Sequence, residues 1–271
     1  MISLLINLDR SPERLAYFTA QAQRCGLAFE RLAAVDGRAL SQAEQAAAVA
    51  PRFEFQPINA GEIGLFMSHR RAWQRIVDSG QAYGAVFEDD VVLAQALPQV
   101  LAAIAQAAPP GDVVKLETTG RAVVLGDAAL ALGEGGQALQ RLHSWHGGTA
   151  AYVVSRAGAL RLLAATDPLA DPVDQVMFNP LSRVCAALEV WQAVPALAMQ
   201  KNRLERVAEG SAFATTIERS ASRGRLLRHG VWTDLRRAWL RWRERRRRQR
   251  LARTPGCRLQ RVPLRRPLAD G

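Results

Sequence analysis

Glu88-Asp89-Asp90 sets three carboxylates side by side directly after the apolar run Tyr83-Gly84-Ala85-Val86-Phe87. Like charges a few Å apart raise the cost of ionising one another, the more so near a buried strand. A hard divalent cation or several hydrogen-bond donors relieve that cost. Carboxylate oxygens suit Mg²⁺ or Mn²⁺, and Mg²⁺ commonly shares its shell between one or two carboxylates and substrate phosphates. The triplet therefore reads as a metal–diphosphate site, against the plainer alternative of a solvated strand-to-loop junction. Lys115, one of only two lysines, falls in the apolar run Val113–Leu116. A buried ammonium needs a partner, and a diphosphate or the acidic triplet would serve.

The elements that must position these groups alternate. Ile2–Leu8 reads as a strand covered on both faces. Ser11-Pro12-Glu13 follows as a helix start, with Ser11 as N-cap and Pro12 at the first helical position, and Gly26 stops the helix after Cys25. Phe29–Val35 is a strand, Ala43–Ala50 a helix, and Asn59–Ser79 a helix with Ile63, Phe66, Trp73 and Val77 as its apolar stripe. Ala82–Phe87 is the strand that delivers the triplet. Pro98–Ala107 reads as a helix, Val113–Leu116 as a strand, and Val123–Leu132 as two weaker segments around Gly126-Asp127. The glycine loop at Gly147-Gly148 leads into a strand, Arg156–Ala165 is a helix, and Pro172–Phe178 begins another. Such alternation argues for an α/β fold with a mostly parallel central sheet flanked by helices. Ligands of such sheets sit beyond the carboxyl ends of the strands, which is where the triplet falls.

The 271 residues suffice for one large α/β domain or two small ones, and 49% of them are apolar. No run reaches the about 18 uninterrupted apolar residues of a membrane span. The N-terminus lacks a basic region and a cleavage site and reads as a first strand rather than a signal peptide. Cys25, Cys185 and Cys257 are odd in number and scattered, which suits a reducing cytoplasm. The net charge of +11 conceals an asymmetry: residues 219–271 hold 18 arginines and three acids, whereas residues 1–218 hold 18 basic and 22 acidic residues. The division expected is a mildly acidic domain over 1–218 and an Arg-rich extension over 219–271.

Several segments together resemble glycosyltransferase family 25, the lipopolysaccharide and lipooligosaccharide sugar transferases. They are Ile6-Asn7-Leu8-Asp9-Arg10-Ser11-Pro12-Glu13-Arg14, Ala34-Val35-Asp36-Gly37, Gly61-Glu62-Ile63-Gly64 with Ser68-His69, and Phe87-Glu88-Asp89-Asp90. Val113-Val114-Lys115-Leu116, Gly148-Thr149-Ala150-Ala151-Tyr152 with Ser155, and Pro172-Val173-Asp174 complete the set. The resemblance covers roughly residues 1–200 and says nothing of the basic tail. It implies a GT-A-like nucleotide-sugar-binding fold with a metal, Mn²⁺ or Mg²⁺, held by the acidic motif. It also implies a UDP-galactose or UDP-glucose donor, a lipid-linked lipopolysaccharide core acceptor, and inversion at the anomeric carbon.

On that basis Asp90 is the expected direct metal ligand, with Glu88 or Asp89 ligating through water or holding the ribose. Asn7, Arg14 and Asp36, near the first strand ends, are expected around the nucleotide, and Glu62, His69 and Lys115 on the donor side. The proton of the acceptor hydroxyl needs a carboxylate. Asp174, at a helix start whose dipole favours its ionised form, is preferred over Glu117. His146, Gly148 and Thr149 form a loop able to close over the substrates, and His143 or His146 are further candidates for the metal shell. For His69 the competing reading is a packed core histidine, for the loop histidines plain exposure, for Arg14 a surface position, and for Trp73 and Trp145 core and loop packing.

Thr233–Arg253 reads as a helix with Trp232, Leu235, Trp239 and Trp242 along one stripe and Arg236, Arg237, Arg241, Arg243 and Arg245–Arg248 on the rest. That is the profile of a helix lying in a lipid headgroup layer, here the inner face of the cytoplasmic membrane. Docking of the Trp stripe on the domain, or contact with nucleic acid, is the alternative. Arg258–Gly271 is expected to be disordered. Two other functions share parts of this pattern. A nucleic-acid-binding protein would act through the tail alone. A metal-dependent phosphodiester or nucleotidyl-transfer enzyme would need a second acid–His cluster, which the sequence lacks. The absence of a Gly-x-x-x-x-Gly-Lys-Ser/Thr loop disfavours a P-loop enzyme.

Overall fold

Eleven strands and nine helices, among the described residues, follow one another in a computed structural model that describes residues 1–133, 135–208 and 231–267. The side chains of 207, 208, 231–235 and 237 lie outside that description. In chain order the elements are β1 (Ile2–Asn7), α1 (Pro12–Cys25), β2 (Glu30–Ala33), α2 (Gln42–Ala48), α3 (Ala60–Asp78), β3 (Tyr83–Glu88), β4 (Val91–Leu93), α4 (Leu97–Ala107) and β5 (Val113–Lys115). Then come β6 (Ala122–Ala131), β7 (Ala138–Leu142), β8 (Ala151–Ser155), α5 (Arg156–Ala165), α6 (Val173–Phe178), α7 (Arg183–Ala186), β9 (Val190–Val194), β10 (Ala198–Gln200), α8 (Lys201–Ala208), α9 (Val231–Leu251) and β11 (Cys257–Arg261).

The punctuation residues act as their chemistry requires. Gly26 takes a left-handed φ of 76° and its N–H closes the end of α1 on the carbonyls of Ala22 and Gln23. Asn59 and Glu62 form a reciprocal capping box at the start of α3, and Ser41 and Glu44 do the same for α2.

Nine strands join one sheet in the order β11-β6-β7-β9-β5-β8-β3-β1-β2, and β4 and β10 form a second, two-stranded antiparallel sheet. The pairings β1–β2, β1–β3 and β5–β9 are parallel, and those on either side of β8 and β7 are antiparallel, as is β6–β11. Six of the nine strands consequently run in one direction. Alternation along the strands splits the core into two layers. Leu4, Ile6, Val86, Val113, Tyr152 and Val154 face α3, α5 and α6. Leu5, Ala85, Phe87, Val114, Leu116 and Val153 face α1 and α4, where Phe18, Leu97, Val100 and Ile104 complete that layer.

Two expectations are corrected here. Residues 122–131 form one strand with a register shift between Leu125 and Ala129, rather than two segments around a turn, because β7 and β11 pair along both its edges. Residues 258–267 are ordered. Cys257–Arg261 pairs with Ala122–Gly126, Val262 is buried, and Thr118 Oγ1 donates to the Val262 carbonyl over 2.9 Å. Ala196 N–H donates to the Pro263 carbonyl, and Arg265 N–H to that of Ala196, both over 2.8 Å. An Arg-rich composition hid a strand whose edge hydrogen bonds are backbone-made and indifferent to side-chain polarity. Residues 219–230 and 268–271 lie outside the described residues.

Candidate active site

Sheet register gathers the chemistry at one edge. β1 and β3 are parallel with Leu5 opposite Phe87, so Asn7 and Glu88 emerge at the same end. β8 runs against β3 and β5, with Ala151 opposite Phe87 and Tyr152 opposite Lys115. The start of β8 therefore meets the carboxyl ends of its neighbours, bringing Gly148 and Thr149 to Glu88 and Glu117. Asp89 and Asp90 make the two-residue turn between β3 and β4.

The three carboxylates have different partners. Asp89 is tied down: Asn7 Nδ2 donates to it over 2.7 Å and Arg14 reaches it at 3.2 Å. Asn7 is itself oriented by Arg31 Nε at 3.0 Å. Glu88 accepts from Thr149 Oγ1 at 2.6 Å and faces His69 Nε2 at 3.4 Å. Burial pushes the Glu88 carboxyl up, but His69 and the Thr149 hydroxyl outweigh it and hold the group below its ordinary range. Asp90 has the least support. Gln200 Nε2 lies 3.4 Å from one oxygen, and the other, Oδ1, is buried without a hydrogen-bond partner. Burial, then the charges of Glu88 and Asp89, push Asp90 up to about 7.

That is the donor chemistry a hard cation fits. An oxygen buried without a partner, on a carboxyl whose ionisation is penalised, is relieved by a divalent charge. Among the described residues no group of three or more His, Cys, Asp or Glu forms a ready cage. A cation on Asp90 would complete its shell with water and substrate oxygens, the habit of Mg²⁺ rather than of a structural zinc.

His69 is fully buried and its tautomer follows from its neighbours. Trp73 Nε1, a donor only, gives its hydrogen to Tyr152 Oη at 2.8 Å, and Tyr152 Oη stands 2.9 Å from His69 Nδ1. The tyrosine proton then goes to Nδ1, which leaves the Nε2–H directed at Glu88. The packed-histidine reading holds, and the buried Nε2 has no hydrogen-bond partner, with Glu88 3.4 Å away.

Behind the loop, Lys115 and Glu117 are both 0% exposed and meet at 2.7 Å. Glu117 Oε1 also accepts from Ala150 N–H at 3.0 Å, and Lys115 Nζ sits 3.9 Å from the Phe178 ring centroid and donates to the Gly148 carbonyl. Burial lowers the lysine and raises the glutamate, each opposed by its partner's charge. The partner of Lys115 is Glu117, in place of the diphosphate or triplet expected. Glu117 is fully buried behind the loop. Gly148, at φ 90°, lets the loop lie on that pair, since a Cβ there would come within 2.7 Å of Glu117 Oε1. Asp174, partly exposed in the first turn of α6, accepts from Gly148 N–H at 3.2 Å.

Other expectations shift. Glu62 serves the α3 capping box, accepting from Asn59 N–H at 2.8 Å, and is approached by Gln56 at 3.5 Å. Asp36 accepts from Arg10 and from the N–H of Arg38 at the loop after β2. His146 is 1% exposed with both nitrogens engaged, Nε2 by Thr119 N–H and Nδ1 by Gln192, so neither is free for a metal. Burial holds it neutral, well below its usual range. The glycines of two sequence blocks prove to be packing devices: a Cβ on Gly37 would fall 1.7 Å from the Ala60 carbonyl oxygen, and one on Gly64 2.4 Å from that of Val35. Trp73 is core, as its apolar stripe indicated. Gln200, Arg31 and the relay role of Tyr152 had no sequence signal, because each depends on contacts between strands far apart in the chain.

Carboxylates at the strand ends, a buried aspartate oxygen without a partner and a glycine loop hydrogen-bonded to Asp174 thus lie together at one end of the sheet. Comparison with known proteins supplies the class. The model of glycosyltransferase family 25 (LPS biosynthesis protein) matches residues 1–177. The lacto-N-neotetraose biosynthesis glycosyltransferase LgtB of Neisseria gonorrhoeae is 33% identical over 243 residues, covering 85% of this chain and 84% of that protein. LgtE of the same organism is 30% identical over 249 residues, with 86% and 87% covered. Procollagen galactosyltransferase 1 of Danio rerio is 29% identical over 199 residues, which is 66% of this chain and 31% of that protein. The chain belongs to glycosyltransferase family 25, and it is an enzyme of glycosyl transfer, with a sugar donor and a saccharide acceptor.

Proposed function

We propose that the enzyme moves a hexose, galactose or glucose, from a UDP-sugar to a lipid-linked lipopolysaccharide core acceptor at the inner face of the cytoplasmic membrane, assisted by Mn²⁺ or Mg²⁺. The observation that carries the metal-assisted reading is Asp90, whose buried Oδ1 lacks a partner while its neighbours Glu88 and Asp89 are already hydrogen-bonded. Asp90 would hold the cation. When bound, the cation supplies Lewis-acid stabilisation of the charge that develops on the departing diphosphate.

The protein's own groups do the rest. Asn7, Arg14 and Arg31 fix Asp89 at the donor side, where it suits a ribose hydroxyl, and Asp36 and Arg10 lie at the neighbouring strand end. Thr149 and His69 hold Glu88 ionised beside Asp90. Asp174 takes the proton as the acceptor oxygen bonds to the anomeric carbon and the bond from that carbon to the diphosphate oxygen breaks, with inversion. Its partial exposure and its hydrogen bond to the hinge-like Gly148 favour it over the sealed Glu117.

The test is direct. Purified enzyme is incubated with UDP-galactose or UDP-glucose, Mn²⁺ and lipooligosaccharide, and the acceptor is examined by mass spectrometry for gain of one hexose. Asp174→Asn is expected to cut kcat at least about 100-fold with little change in donor KM. Unchanged turnover in that variant, or no transfer from either donor, would defeat the assignment.

A further inference from the structure

α9 presents two different stripes. Leu240, Glu244, Arg247 and Leu251, spaced i, i+4, i+7, i+11, are its partly buried positions. Glu244 Oε1 accepts from Trp145 N–H at 3.1 Å, and Arg247 donates to the His143 carbonyl. Roughly a third of a turn away lies a stripe with no recorded partner on the domain among the described residues: Trp239, Trp242, Arg243, Arg246 and Arg250. Trp239 and Trp242 are 51% and 52% exposed, whereas Trp73 is fully buried in the core. Each carries a guanidinium over its ring, Arg243 at 4.6 Å and Arg246 at 5.1 Å. The alternative of a Trp stripe docked on the domain therefore fails for Trp239 and Trp242, since the helix is held through its other stripe. The side chains of Trp232 and Leu235 lie outside the described residues.

We propose that this outer stripe of α9 seats the enzyme on an anionic phospholipid surface, the indoles in the headgroup layer and the arginines against its phosphates. Two observations favour a bilayer. Half-exposed indoles backed by arginines match the amphipathic depth of an interface. Charge is polarised: the first 218 residues carry a deficit of positive charge and the last 53 a large excess, so an anionic plane attracts α9 and repels the body. No described helix is long and apolar enough to cross a membrane. The seat of α9 on residues 143–145 also lies just before Gly147-Gly148, which rests on Asp174. The lipid surface stands independently of the proposed lipid-linked acceptor.

Sedimentation with vesicles tests it, using the full chain without substrate. Vesicles of about 30% phosphatidylglycerol in phosphatidylcholine should bind the protein, and pure phosphatidylcholine should not. Trp239→Ala/Trp242→Ala should weaken binding about tenfold or more. Arg243→Ala/Arg246→Ala should weaken it about 20-fold, with added salt weakening the wild type in parallel. Unchanged melting temperatures in both variants confirm that the domain is intact. Absence of anionic-vesicle binding, or binding equal in wild type and Trp variant, overturns the proposal. So does duplex DNA that strips wild-type protein from vesicles while binding the Trp variant equally well. UDP binding on the same preparations separates the two ideas: vesicle binding without UDP binding refutes the donor assignment and leaves the lipid surface standing.

Discussion

Asp90 illustrates how far three adjacent acids can diverge. The family resemblance singles out Asp90 among Glu88, Asp89 and Asp90, but the order of the three residues alone does not say why it is the one left free. Asn7, eighty-two positions from Asp89, and Thr149, sixty-one from Glu88, decide it by occupying the other two. A carboxyl raised to about 7 has a definite consequence for pH. Its folded-state pKa lies above its unfolded one, so its contribution to stability is present at low pH and lost as pH rises through about 7. Without divalent ions, the wild type should therefore lose more melting temperature between about pH 6 and pH 8 than Asp90→Asn, and Mn²⁺ should restore the difference. Mn²⁺ affinity should fall about tenfold per pH unit below about 7, because one proton must leave for the metal to bind. Metal affinity flat across that range, measured by calorimetry, would remove Asp90 as the ligand.

At the scale of elements, strands and helices with strong local signals were legible, and their partners were not. The apolar runs at Ile2–Leu8 and Ala82–Phe87, the Pro12 start and the Gly26 stop each encode their element locally. β11 did not, since its residues are mostly polar and its existence depends on the free edge of β6. Ending the chain at 256 removes β11 and the buried Val262, and should expose the edge of β6. The truncated protein is expected to unfold at lower urea than full-length protein and to aggregate. Equal midpoints would mean that β11 is an ornament. The Trp73–Tyr152–His69 relay joins α3 to β8 through one phenol. Tyr152→Phe leaves a buried indole N–H and a histidine nitrogen unpaired, and should cost about 1–3 kcal/mol in urea unfolding while loosening His69 from Glu88. A loss near zero would say that the relay contributes no stability.

Over the whole molecule, the charge asymmetry, the α/β class and the family were readable from the chain, whereas the direction in which α9 faces was not. A stripe of Trp among Arg favours lipid contact over docking in one dimension, but the face that seats the helix is set by the partly buried Glu244 and Arg247. The same holds for Asp174 and Glu117, which sequence ranks by position alone and the sheet separates by burial. The most direct measurement of the central claim is a calorimetric titration of the full-length enzyme with UDP, with and without Mn²⁺, beside Asp90→Ala. UDP binding that requires Mn²⁺ and disappears in Asp90→Ala is the expected result. UDP binding of equal strength without metal, or retained in Asp90→Ala, would contradict a cation held by Asp90, and no binding under any metal would contradict the UDP-sugar donor itself.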